Sequence, residues 1–113
     1  MAHTMPNETD IFEQLRQELR RGTLILAVLA QLRVERYGYG LRQALSAVGI
    51  EIDEGALYPM LRRLEGQGLL ASEWREEDKR KKRFYRLSSE GEAVLARLAD
   101  EWRAINSTLQ PLL

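Results

Sequence analysis

Nine of the seventeen Lys and Arg residues fall between Leu61 and Leu87, against five of the seventeen Asp and Glu. The 113-residue chain has zero formal net charge, which argues against general affinity for polyanions, but this segment is locally positive. Its densest part is Lys79, Arg80, Lys81, Lys82 and Arg83, five consecutive basic side chains, with Tyr58, Arg62 and Arg63 upstream. Arginine suits guanine edges and phosphates, and tyrosine hydroxyls and free helix N–H groups also reach phosphate oxygens. The chemistry open to such a set is anion recognition.

Each of these residues also has a plainer reading. Tyr58 could be a half-buried core residue, Arg62 and Arg63 a solvated helix face, and KRKKR a solvated charge run or a spurious nuclear-localisation match. Glu76, Glu77 and Asp78 temper the field before the run, and Glu54 and Glu65 are poor phosphate neighbours, outside the contact set. What favours recognition is the order of elements around these residues.

That order runs from Gly55 to Arg86. Leu57, Met60, Leu61 and Leu64 repeat at three-and-four spacing, so a helix presents them inward; Asp53 is its N-cap, and Gly66 and Gly68 end it. Pro59 predicts a loosened first turn, since it lacks one donor. Leu70–Arg75 and Lys82–Leu87 read as strands, and the connector EEDKRKK, without a hydrophobic residue, reads as a solvent-exposed wing. Trp74, on the first strand, is assigned to hairpin packing.

Upstream, Ile11, Phe12, Leu15 and Leu19 predict a helix over about Glu8–Arg20, interrupted or weakened at Gly22, and a second, buried one over about Thr23–Arg36. YGYG at Tyr37–Gly40 reads as a break, and LRQALSAVG as a helix with Leu41, Ala44, Leu45 and Val48 inward and Gly49 as its stop. The fold class expected is mainly α with a small β-hairpin, a winged helix-turn-helix.

After the hairpin, Ser89 with Glu92 predicts a capping box. Leu95, Leu98, Trp102, Ile105, Leu109 and Leu112 then recur at alternating three and four, a seam of about two and a half heptads that should pack on a partner helix, with Pro111 ending the helix. The dimer seam expected is Leu95, Leu98, Trp102, Ile105 and Leu109.

No cysteine is present and the single histidine, His3, lies in an N-terminal stretch expected to be disordered, so no metal, no cofactor and no catalytic residue is assigned, and an enzyme is not expected. The longest apolar run, Leu24–Ala30, is far short of the roughly 20 residues of a spanning helix, so no membrane contact is expected and a cytoplasmic place is.

RRGTLILAVLAQL, YGYGL, GALYPMLRRLEGQGLL and RKKRFYRLSSEGEAVL together resemble the PadR family of bacterial transcriptional regulators, over about Arg20–Trp102. The single closing helix is similar to the short-chain branch. The resemblance implies a homodimer paired through N- and C-terminal helices, a DNA-facing tyrosine at Tyr58, and effectors that are phenolic acids in some members and flat cationic drugs in others. It also implies that Trp102, with Leu98 and Ile105, could line an effector cleft in which a planar aromatic molecule is sandwiched; Asn106 is neutral where cation-binding relatives carry an acid.

The division expected is an N-terminal dimerisation support over 1–21, a DNA-binding domain over 22–87 and a dimerisation helix over 88–113. Double-stranded DNA with a pseudo-palindromic operator is the expected partner, through two third helices in successive major grooves. The rival reading is a winged-helix protein-interaction module that does not touch DNA.

Overall fold

The computed structural model describes residue 5 and residues 7–113, so His3 and the disorder expected around it lie outside the described residues. The first helix, α1 (Glu8–Gln31), opens on a capping box in which the Asn7 side chain accepts the Asp10 N–H at 2.9 Å and Asp10 reaches back to the Asn7 N–H. It passes through Gly22 without a break, so the two helices expected there are one. A mid-helix glycine costs only about 1 kcal/mol relative to alanine, which burial of Val28, Leu29 and Leu32 outweighs. The helix also stops at Gln31, short of Arg36, because Arg36 turns back and its Nε donates to the Gln31 carbonyl at 3.0 Å.

Arg36–Tyr37 instead form a short strand, β1, and α2 (Gly38–Ala47) follows at once, so YGYG is a strand end and a helix start with no break between them. Gly38 is there for space: a Cβ at that position would run into the Tyr58 ring. Gly49, at φ +86°, stops α2 as expected, with the Ile50 N–H returning to the Leu45 carbonyl at 2.9 Å. Val48 lies beyond the last helical residue and is exposed, against the expectation that it faces inward.

Asp53 caps α3 (Glu54–Gly66), accepting the Ala56 N–H at 2.8 Å. The helix is regular through Pro59, and the expected loosened turn is absent: the carbonyl that Pro59 leaves unpaired belongs to exposed Gly55, where water can reach it. Gly68, at φ +83°, closes the helix, and the Leu69 N–H bonds the Leu64 carbonyl at 3.0 Å.

Strands β2 (Leu70–Glu77) and β3 (Arg80–Leu87) pair antiparallel from Leu70 opposite Leu87 to Glu77 opposite Arg80, and β3 takes β1 on its other edge, giving the order β1-β3-β2. Both strands are longer than expected, because the turn is only Asp78 and Lys79, at φ 53° and 62°. Two consecutive left-handed residues make the tight turn that matches strand twist, a place where Asn-Gly is favoured. Lys79→Gly should therefore raise the thermal midpoint by relieving roughly 1 kcal/mol of backbone strain while lowering affinity for any polyanion, two opposite shifts readable by circular dichroism and DNA titration.

The last helix, α4 (Ser89–Leu109), is capped by Ser88, not by the expected Ser89. The Ser88 Oγ accepts the Gly91 N–H at 3.0 Å and donates to the Gly68 carbonyl at 2.5 Å, a tertiary bond that local spacing could not show. Pro111 lies in a closing 3-10 turn, Gln110–Leu112, so Leu112 is off the α-helix. The core joins Val28, Leu29 and Leu32 to Leu41, Leu45, Leu57, Leu61, Leu64, Leu70, Tyr85, Leu87 and Leu95.

Candidate nucleic-acid interface

Leu57, Leu61 and Leu64 pin one face of α3 into the core, and the 3.6-residue period then turns Arg62 and Arg63 outward, where both are exposed. Among the described residues no acid lies within ion-pair distance of either. Tyr58 is half-buried, its ring over Gly38. The N-terminus of α3, expected to offer free N–H groups beside Tyr58, is shared with a carboxylate: Asp53 takes the Ala56 N–H, and Glu54 adds a charge that Arg42 Nη1 meets at 3.2 Å. Arg42 Nε also donates to the Ile52 carbonyl at 3.1 Å, which ties α2 to the approach of α3.

The five-residue basic run does not sit at a loop tip. Only Lys79 occupies the turn; Arg80–Arg83 climb β3 and alternate between its faces. Lys79, Arg80 and Lys81 are exposed. Lys82 Nζ lies 3.5 Å from Glu77 and 4.5 Å over the Tyr37 ring. Arg83 Nη2 lies 2.7 Å from Glu65 Oε1, and its Nε donates to Ser72 Oγ at 2.9 Å. Three members of the run are thus presented to solvent and two are held by the protein.

Two further residues read differently in three dimensions. Trp74, assigned to hairpin packing, is 63% exposed, with the Arg83 guanidinium 5.7 Å from its ring. Glu65, excluded as a poor phosphate neighbour, holds Arg83. On the opposite face of the hairpin Arg75 pairs with Glu35 and lies 4.0 Å over the Phe84 ring, joining the turn after α1 to the wing. Burial pushes the Tyr85 phenol above its ordinary value, an effect that the nearby Arg83 opposes. Spacing carries no signal for these pairings, since their partners are far apart in sequence.

The second surface lies between α1 and α4. Of the expected seam, Leu95 is buried in the chain's own core, whereas Leu98, Trp102, Ile105 and Leu109 remain partly exposed, Trp102 at 47%. With Leu19, Thr23, Ile25 and Leu26 they line a mostly apolar cleft of about 580 Å³ that also meets Arg20, Glu101 and Asn106. Glu101 supplies a carboxylate to a cleft whose Asn106 is neutral. Ile11, Phe12, Leu15 and Leu19 extend the exposed apolar surface along the free half of α1. Contiguous apolar surface of this kind marks interaction sites. Among the described residues there is no cluster of three potential metal ligands, and no helix is long and apolar enough to cross a membrane.

The sequence model of the transcriptional regulator PadR-like family matches residues 25–97. A transcriptional regulator of Mycobacterium tuberculosis is 48% identical over 61 residues, a match that spans 54% of this chain and 57% of that protein. An uncharacterized protein of Lysinibacillus sphaericus is 30% identical over 100 residues, 84% of this chain and 92% of that one. In three dimensions the chain is similar to the crystal structure of a PadR family transcriptional regulator from Eggerthella lenta, with a TM-score of 0.87 and 43% identity over 92% of this chain and 93% of that one.

Proposed function

The chain belongs to the PadR-like family of transcriptional regulators, and from that membership we propose that it is a cytoplasmic homodimeric repressor that binds a pseudo-palindromic operator. The family, the Mycobacterium tuberculosis relative and the Eggerthella lenta structure are transcriptional regulators, not enzymes. The observation that carries the reading is the distribution of uncommitted positive charge: Arg62 and Arg63 on the outer face of α3, and Lys79, Arg80 and Lys81 along the wing. Arg62 and Arg63 read base edges or backbone in the major groove, Tyr58 contacts phosphate, and the wing lysines and arginine hold the flanking backbone. Lys82 and Arg83 lie outside this contact set.

Two copies are joined through α4 and the exposed half of α1, with residues 1–21 supporting the pairing, residues 22–87 reading DNA and residues 88–113 closing the dimer. A planar aromatic effector enters the cleft beside Trp102 and releases the operator by changing the distance between reading heads. With Trp74 replaced, Trp102 fluorescence should fall on titration with planar aromatics. The contact between Glu65 on α3 and Arg83 on the wing keeps the two basic elements adjacent, which supports DNA as partner over a winged-helix protein-interaction module.

Salt-dependent binding tests the reading. Neutralising Lys79, Arg80 and Lys81 together should weaken binding to every duplex and reduce the slope of log affinity against log salt by up to about 2.7 per protomer, from about 0.9 per phosphate contact. Arg62→Ala should instead alter sequence preference, with about 1–3 kcal/mol lost at the base it reads. Unchanged slopes and preferences in both variants would remove the proposed interface.

A further inference from the structure

We propose that Glu65, Ser72 and Arg83 form a brace that fixes the wing to the end of α3, so that Arg83 acts in recognition as a positioning residue and not as a phosphate contact. The inference rests on the DNA-binding reading above and gives that interface its geometry. The three side chains come from three elements and close a ring: Arg83 Nη2 donates to Glu65 Oε1 at 2.7 Å, Arg83 Nε to Ser72 Oγ at 2.9 Å, and Ser72 Oγ to Glu65 Oε2. Both oxygens of the carboxylate and two nitrogen donors of the guanidinium, Nε and Nη2, are thereby used. The guanidinium carbon also lies 5.5 Å from the Tyr85 ring and 5.7 Å from that of Trp74.

Side-chain exposures of 26% for Glu65 and 35% for Arg83 place the pair partly out of water, where screening is weaker than for an ion pair on an open surface. The contrast within the molecule is clear. Arg16 with Glu13, and Arg103 with Asp100, are one-turn pairs on exposed helix faces that join nothing across the fold.

The wing needs such a tie because its outer half has no layer beneath it. In β2 only Leu70 is buried, and from Glu73 onward the strand is exposed; in β3 burial begins at Phe84. A two-stranded ribbon of this kind is marginal alone; Arg75 to Glu35 and Lys82 over the Tyr37 ring hold one face of it, and the brace is its tie to α3 on the other. Arg83 sits where the packed half ends, opposite Trp74 in the register, and is the outermost residue of β3 that reaches α3 through Glu65. The brace therefore sets the distance from Arg62 on α3 to Lys79 at the tip, which must match groove and backbone together.

A brace and a contact predict opposite signs at Glu65. If Glu65 merely places a negative charge near DNA, Glu65→Gln strengthens binding to all duplexes; if it holds the wing, the same change weakens binding to the preferred sequence. Full-length wild type, Glu65→Gln, Arg83→Gln and the double variant would be titrated against the preferred duplex and an unrelated one at several salt concentrations, with unfolding midpoints measured alongside. Each single variant should bind the preferred duplex about tenfold more weakly, the double no worse than the weaker single, and the salt slope should stay unchanged. A slope reduced by about 0.9 in Arg83→Gln, together with tighter binding by Glu65→Gln, would overturn the brace and make Arg83 a phosphate contact.

Amide exchange in the free protein separates this inference from the reading beneath it. Amides of β2 and β3 beyond Ser72 and Arg83 should exchange faster in Glu65→Gln and Arg83→Gln, but not in Arg80→Gln, whether or not DNA is bound. Unaltered exchange in both variants would overturn the brace even if wild type binds its operator, and faster exchange in the variants beside a wild type without sequence preference would leave the brace standing and the DNA reading lost. Should either glutamine variant fail to fold, Glu65→Asp and Arg83→Lys supply the same comparison.

Discussion

Gly91→Ala should lower the stability of the domain by about 3 kcal/mol or more, and with it the thermal midpoint by roughly 10 °C. Gly91 lies in the first turn of α4, where a Cβ would be driven into the Leu69 carbonyl oxygen and would also stand 3.1 Å from a Leu87 methyl. Neither neighbour can give way cheaply. The Leu69 carbonyl accepts the Ser88 N–H at 3.0 Å, and the Leu69 N–H is spent on the last turn of α3. Shifting Leu69 would disturb the α3–β2 joint, and shifting α4 would release Leu95 from the core. Gly22→Ala makes a good control, since a Cβ there meets nothing within 4 Å, and should stabilise by about 1 kcal/mol. A midpoint for Gly91→Ala within a degree or two of wild type, read by circular dichroism, would show that α4 does not dock as described.

The second large effect belongs to association. Ile105→Glu places a carboxylate in the middle of the exposed α4 face, beside Trp102 and between Leu98 and Leu109. If two copies meet there, symmetry buries two carboxylates, each at a desolvation cost of several kcal/mol. The variant should sediment as a monomer at micromolar concentration. Its fold should persist, because Ile105 is 55% exposed in the single chain. Operator affinity should fall about 10²- to 10⁴-fold, since the second reading head loses the effective concentration that linkage gave it. A variant that stays dimeric and binds its operator normally would place the pairing surface elsewhere.

What could be read from residue order was whatever is encoded locally. Asp53, the Leu57-Leu61-Leu64 spacing and Gly68 define α3 by cap, period and stop, and Gly49 marks the end of α2 in the same way. Elements that depend on distant partners were not legible. Strand β1 is two residues long, too short for any period, and exists because β3 offers an open edge. The turn at Asp78–Lys79 lacks glycine, so the strands on either side could not be extended to meet it.

The candidate site divides along the same line. Arg62 and Arg63 are exposed as their phase on α3 implies. The run Lys79–Arg83 reads in sequence as one patch, but strand alternation, the distant Glu65 and the neighbouring Glu77 split it into presented and held members. Leu95 fits the heptad spacing as well as Leu98 does, yet contact with the winged core claims it first. Residue types shared by contacts and braces, or by seams and cores, are sorted only by three-dimensional neighbours.

The proposed dimer requires joint reading of DNA by two copies of one α3-and-wing unit. Selection of bound duplexes from a random pool by the full-length protein, followed by sequencing, tests it most directly. The recovered duplexes should carry an inverted repeat whose half-sites are centred about 10 base pairs apart, or a multiple of that spacing, and whose recovery falls steeply with salt. Recovery of unrelated sequences with no repeat, or of a single isolated half-site, would contradict it.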